Sequence, residues 1–266
     1  MQNILASAID AAQVAGDILL EYYQADYNIR DKGFNNPVTT ADYACNHYLE
    51  ERLRDSYPDY GWLSEETADT ASRLSKDRVW VVDPLDGTKE FIEGVPQFVV
   101  SIALVEQARP VLGVLHNPAT KETFSAVSGN GAALNGIPIR VSKVERLEEA
   151  TILNSRTETR HGLWKRYKPH FLRLIPTGSV AFKLGLTAAG QADMFATLRP
   201  KNEWDICAGD IILREAGAEL RDLKGEMRAY NRRDTKIKPG LVAGNPTIVK
   251  AFLELYRTLR KGSKTD

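Results

Sequence analysis

The sequence predicts a mixed α/β (α+β) fold, a layered arrangement in which helices cover both faces of a sheet. Three observations lead there. An amphipathic helix precedes the first strands. Residues 79–141 hold closely spaced apolar and β-branched runs separated by turns, which reads as an antiparallel meander. Beyond residue 145, strand-like and helix-like segments alternate, the pattern of a sheet clothed in helices. The 266 residues, 43% of them hydrophobic, can bury a core in one large domain or two lobes. The change of pattern sets the division: one lobe over 1–145, a second over 146–266.

Each element has a local reason. Over residues 3–24, Leu5, Ile9, Ala12, Ala15, Leu19 and Tyr22 share one helical stripe. Gly33–Pro37 is a turn-rich break whose composition suits a lid. Thr39 or Thr40 caps a second helix over Asp42–Ser56, ended near Pro58. Trp62-Leu63-Ser64 leads into Glu65-Glu66. Val79–Val82 is a buried strand that Pro84 is expected to stop, and Gly87-Thr88 opens a short helical segment, Lys89–Ile92. Phe98–Glu106 and Val111–His116 are strands joined by a turn at Ala108-Arg109-Pro110. Thr123–Val127 and Ala132–Val141 follow as two more, joined through Ser128–Gly131. In the second lobe, strands at Ala150–Asn154, Phe171–Ile175, Ala192–Ala196 and Leu241–Ala243 alternate with helical segments at Leu163–Tyr167, Gly178–Ala189, Trp204–Ala216 and Pro246–Arg257. The tail Arg260–Lys264 reads as a solvated end.

Bulk properties exclude several classes. Lys+Arg and Asp+Glu are 35 each, so no net charge draws the chain to a nucleic acid polymer or an anionic membrane. The N-terminus lacks the basic-then-apolar pattern of a secretory signal. No uninterrupted run approaches the roughly 20 apolar residues of a membrane span. Cys45 and Cys207 match no metal or redox spacing and read as reduced thiols. A soluble, cytoplasmic protein is the expectation. His47, His116, His161 and His170 form no zinc-type pair. There is no dinucleotide fingerprint, phosphate-loop lysine or hydrolase elbow.

The most informative stretch is Asp83-Pro84-Leu85-Asp86-Gly87-Thr88. Two carboxylates stand at the end of an apolar strand, just ahead of a helix start. Hard cations want oxygen ligands, and phosphates want helix N-termini. Asp86-Gly87 is equally well explained as a turn. Asp83 is harder to explain so, because a charge directly after a buried strand needs a partner. On residue types alone, turn and metal site stand about even.

Trp80–Thr88 resembles the first signature of the inositol monophosphatase family of metal-dependent phosphatases. Trp204-Asp205, followed by Ala208-Gly209 and Arg214-Glu215-Ala216-Gly217, resembles its second. Glu65-Glu66 stands where the family has its acidic pair, and Thr39-Thr40-Ala41-Asp42 resembles its N-terminal motif. Together these span residues 37–217 in the family's order. The resemblance implies a layered αβαβα sandwich of the inositol monophosphatase/fructose bisphosphatase type. It also implies two or three Mg2+ ions held by Glu65, Asp83, Asp86, Asp205 and the Leu85 carbonyl, with Glu66 a lesser candidate. Thr88, oriented by Asp42, would position the attacking water alongside Glu65. Gly87 and Thr88 would meet phosphate oxygens. Frequent homodimers and inhibition by lithium belong to the same implication. Asp42 and Asp205 could also serve as helix-start carboxylates, which is compatible with these roles.

Lys89-Glu90-Phe91-Ile92, Glu203 before Trp204-Asp205, and Ser155-Arg156 look most like the 3'(2'),5'-bisphosphate nucleotidases of that family. A substrate with two phosphates needs cations beyond the metals. Lys89, Arg156, Lys183, Arg199 and Lys201 are the candidates, with Ser179 in a turn that contacts the substrate. Thr157-Glu158-Thr159 and Phe195–Pro200 depart from that branch's usual runs. The expected reaction is removal of the 3'-phosphate of adenosine 3',5'-bisphosphate. The alternatives are an inositol monophosphatase, another small sugar or alcohol phosphatase of the family, and a non-catalytic metabolite-binding protein.

Overall fold

The computed structural model describes residues 1–25, 27–31 and 37–262. Gly33–Asn36, and with them most of the anticipated lid, lie outside the described residues, as does the end of the tail. The first half runs α1 (Gln2–Tyr22), β1 (Ile29–Asp31), β2 (Pro37–Thr39), α2 (Thr40–Ser56), β3 (Gly61–Ser64), β4 (Arg78–Asp86), α3 (Thr88–Ile92), β5 (Val99–Glu106), β6 (Arg109–Asn117), β7 (Glu122–Val127), β8 (Ala132–Leu134) and β9 (Ile137–Pro138). The second runs β10 (Thr151–Ser155), α4 (Arg156–Arg160), β11 (Arg173–Thr177), α5 (Val180–Ala188), β12 (Met194–Thr197), β13 (Lys201–Asn202), α6 (Glu203–Glu215), β14 (Glu219–Asp222), β15 (Lys236–Ile237), β16 (Leu241–Gly244) and α7 (Pro246–Gly262).

These elements stack as the αβαβα sandwich that the motifs imply. β3 to β9 form one sheet in chain order, parallel only between β3 and β4. The second sheet has the order β11-β10-β12-β16-β14 and mixes parallel with antiparallel pairs. α1 and α2 cover the outer face of the first sheet. There Ala8, Ala12, Ala15 and Leu19 are buried with Trp80, Val100, Ile102 and Val114. α1 is long and apolar enough to cross a membrane by composition. That corrects the expectation that nothing in the chain approaches such a span, although its alanine stripe is a core face here. α5 and α6 fill the space between the sheets, joining Val81, Ala103 and Phe124 on one side to Phe195 and Ala243 on the other. α7 closes the far face with Phe252 against Trp164, Met194 and Val242.

Some boundaries depart from the sequence expectation. β4 does not stop at Pro84. Asp83 pairs with Ser101 and Asp86 with Val99, so the strand passes through a one-residue bulge. The missing N–H of Pro84 falls at that bulge, where a ladder tolerates it. The β5–β6 turn is Gln107-Ala108, both at positive φ, and Arg109 and Pro110 already belong to β6. The expected strand Ala132–Val141 is a hairpin, β8 and β9, turning at Asn135-Gly136. Leu163–Tyr167 forms successive turns rather than a helix, with Trp164 and Tyr167 buried as core aromatics.

Candidate active site

The bulge is what brings the carboxylates together. Residues 83 and 86 of a regular strand would face opposite sides, because side chains alternate with period two. One inserted residue restores the phase. Glu65 follows β3, whose Ser64 pairs with Val82 in parallel register, and the Glu65 N–H donates to the Val82 carbonyl at 3.3 Å. Asp205 lies in the first turn of α6, with one oxygen accepting the Asn202 N–H at 2.8 Å. Glu65, Asp83 and Asp205 each offer a carboxylate oxygen within 4.8 Å of the others. Asp86 sits beside them, and one of its oxygens is held by the Ser179 hydroxyl at 2.5 Å and the Ala181 N–H at 2.6 Å.

Asp42 is reached through a helix cap. Thr39 caps α2, accepting the Ala41 N–H at 3.1 Å, and its own N–H and hydroxyl both donate to Asp42 Oδ2 at 2.7 Å. This reciprocal cap leaves Oδ1 to face Thr88, whose hydroxyl lies 3.2 Å from it and 3.2 Å from the Leu85 carbonyl. Gly87 is required between these parts: its φ is +107°, and a Cβ there would lie 2.7 Å from the Gln97 carbonyl.

The electrostatics are those of crowded, buried acids. Burial first, then Glu65, Asp86 and Asp205, push the Asp83 carboxyl well above the usual range. Asp205 is pushed up to about 7, by burial and then by Asp86 and Glu65 against the relief of Lys201. Asp42 is pushed up to about 6, chiefly by burial, with Thr39 and Thr88 pulling it down. Asp83 Oδ2 is buried and has no hydrogen-bond partner among the described residues. An unpartnered buried carboxylate oxygen costs several kcal/mol unless a cation meets it. An all-oxygen set with one orphaned member therefore fits a hard divalent ion.

A cavity of about 340 Å3 opens over this cluster, lined by Glu65, Asp86 and Asp205 together with Lys89, Arg156, Lys183, Arg199 and Lys201. All five anticipated cations thus reach one cavity, but two are engaged in the fold and a third, Arg199, lies 2.7 Å from His161 Nδ1. Lys183 is buried and donates to the carbonyls of Thr177, Gly178 and Ser179. Burial pulls its ammonium down to about 8, partly offset by Asp86. Arg156 is paired with Glu90 at 2.9 Å and Glu93 at 2.6 Å. Lys89 is pulled below its usual value by partial burial and by Lys201, Arg160 and Arg199, against the opposing pull of Glu90. Ser179 lines the cavity at a φ of +48°, capping α5 through the Phe182 N–H. Glu203 turns elsewhere, accepting the Asn231 and Arg232 N–H groups, and burial pushes it up to about 7. Glu66 lies next to Glu65 but is not part of the cavity wall; its N–H donates to Ser64 Oγ. Two supporting residues were not among the candidate site residues, and Gln97 stands outside every motif. Glu90 is buried beside Gly178, and Gln97 accepts the Gly178 N–H at 2.7 Å.

The model of the inositol monophosphatase family matches residues 1–260, and this chain belongs to that family. Among individual relatives, Nus factor SuhB of Escherichia coli is 34% identical over 97% of both chains. The solved Thermotoga maritima IMPase superposes with a TM-score of 0.87 at 30% identity, covering 98% of this chain and 99% of that one. CysQ of Bacteroides thetaiotaomicron, a bacterial member of the same family, gives 0.73 at 33% identity, covering 92% and 98%. A phosphatase of this family, with an acidic group that could hold a metal, is the class that the fold and the site define.

Proposed function

We propose that this chain is a magnesium-dependent phosphomonoesterase whose preferred substrate carries two phosphates, adenosine 3',5'-bisphosphate being hydrolysed to AMP and inorganic phosphate. The observation that carries the reading is that Lys89, Arg199 and Lys201 line the same cavity as Glu65, Asp86 and Asp205. One phosphate would meet the carboxylate cluster through metal, and the other would meet the cations. Glu65, Asp83, Asp86, Asp205 and the Leu85 carbonyl would hold two or three Mg2+ ions. When bound, these supply the positive charge that a transferring phosphoryl group and its attacking water both need. The water oxygen bonds to phosphorus, the ester oxygen leaves, and a proton passes to it. Within the chain, the Thr88 hydroxyl orients the water and takes its proton while handing its own to Asp42 Oδ1, 3.2 Å away. Burial makes Asp42 basic enough for that near neutral pH. Ser179 and the Ala181 N–H hold Asp86 in place. Two buried free cysteines are in keeping with a cytoplasmic enzyme.

A second reading is an inositol monophosphatase, favoured by the hydroxyl residues Ser155, Thr157, Thr177 and Thr197 in the lining of the same cavity. A substrate panel separates the two: adenosine 3',5'-bisphosphate, inositol 1-phosphate, fructose 1,6-bisphosphate and histidinol phosphate, each with Mg2+. The proposal expects the nucleotide to lead in kcat/KM, and a clear lead for inositol 1-phosphate would replace it with the second reading.

A further inference from the structure

Glu158 belongs to none of the family-like motifs, yet it is 1% exposed at the back of the cavity wall. Burying a carboxylate requires donors. Glu158 has them in number: Trp164 Nε1 at 2.8 Å, the Thr197 hydroxyl at 2.5 Å, the Leu198 N–H at 3.1 Å and the Arg199 N–H at 3.1 Å. Three of these four lie on one short segment, the end of β12 and the two residues after it. That segment carries Arg199, which lines the cavity with its guanidinium 2.7 Å from His161 Nδ1. α4, which holds Glu158, is anchored at its N-terminal end. Ser155 Oγ accepts the Glu158 N–H, and Arg156 pairs with Glu90 and Glu93 beside α3. A short anchored helix thus presents one carboxylate to the backbone of the segment that bears Arg199.

We infer that Glu158 is a positioning residue for substrate selection: by clamping the backbone at Thr197–Arg199 it fixes Arg199 where a second phosphate of the substrate binds. The role rests on the reading of a two-phosphate substrate. It concerns the non-reacting phosphate only, since Glu158 touches neither the acidic cluster nor Thr88. Loss of the clamp should therefore weaken binding of the second phosphate and leave bond cleavage intact.

The test compares adenosine 3',5'-bisphosphate with adenosine 3'-monophosphate, which share the scissile bond, using the full chain with Mg2+. Glu158→Gln keeps the shape but sets an amide N–H2 against N–H donors. KM for the bisphosphate should rise about tenfold with kcat within about twofold, and both constants for the monophosphate should stay unchanged. The double variant E158Q/R199Q should be no worse than R199Q alone, because one acts through the other. If E158Q does not fold, Thr197→Val removes one clamp donor at constant shape and should move KM the same way. Equal loss on both substrates, additive losses in the double variant, or an unchanged preference would each overturn the inference. A wild-type chain that treats both substrates alike would overturn the function reading itself and this role with it.

Discussion

Asp83 concentrates the chemistry of the site in one side chain. Its Oδ1 accepts the Leu85 N–H at 3.0 Å, while Oδ2 is buried without a partner among the described residues. Such an oxygen destabilises the metal-free protein and stabilises the metal-bound one. Asp83→Asn should therefore lower kcat/KM by at least about 100-fold, the scale of removing one preorganised electrostatic contact. The same change should raise the melting temperature in EDTA, since it removes a buried charge that Glu65, Asp86 and Asp205 repel. A variant that keeps full activity, or melts lower in EDTA, would rule this account out. Thr88 and Asp42 form a second residue-scale pair. Thr88→Val and Asp42→Asn should each cost about 10²–10⁴ in kcat, the range for a positioned proton acceptor. Acting as one relay, they should cost together little more than either alone. Single-turnover rates for the two variants and the double variant measure this.

Elements set how well those side chains meet, and α6 matters most because Asp205 stands in its first turn. The helix lies on the first sheet at Gly113, where a Cβ would come 2.5 Å from Ile211 Cγ2 and 2.6 Å from the Ala208 carbonyl. The backbone carbonyl cannot swing aside. Gly113→Ala should cost about 1–3 kcal/mol in denaturant unfolding, the usual size of overpacking. It should also weaken Mg2+ binding by pushing α6 and Asp205 off the sheet. Unchanged stability would mean that the helix is not seated as described. Elements also show what a reader of the sequence can and cannot reach. The long β-branched runs of β4 to β7 were legible because burial on both faces leaves an unbroken apolar run. The bulge at Asp83–Asp86 was not, because Pro84 reads locally as a stop, and only pairing with Ser101 and Val99 reveals the inserted residue. The β8–β9 turn has its local trace in Asn135-Gly136, a strong hairpin dipeptide. The carboxylates were found through their local motifs. The engagement of Arg156 with Glu90, 66 residues earlier, has no local trace.

Across the whole molecule, the acids of the site come from separate layers: Asp42 from α2 outside the first sheet, Asp83 from β4 of that sheet and Glu65 from just past its β3, Asp205 from α6 between the sheets. Bringing them together makes proton binding and folding interdependent. Asp205 goes from an ordinary value of 3.8 to about 7, and Asp42 from 3.8 to about 6. Both shifts are upward, so between these values the metal-free folded chain binds more protons than the unfolded one. Their contribution to stability is therefore full below pH 3.8 and is lost as pH rises through about 6 and about 7. Mg2+ competes with those same protons and binds the ionised carboxylates. The stabilisation gained on adding Mg2+ should then be small near pH 4.5 and grow through pH 7. EDTA should reverse it, and Asp83→Asn should flatten it. Thermal unfolding of the full chain at pH 4.5, 6 and 7.5, with Mg2+ and with EDTA, measures the difference directly. Because groups elsewhere in the fold titrate alike in both conditions, they cancel from that difference. A Mg2+-dependent shift that is constant with pH would mean that the buried acids are not the ones the ion meets.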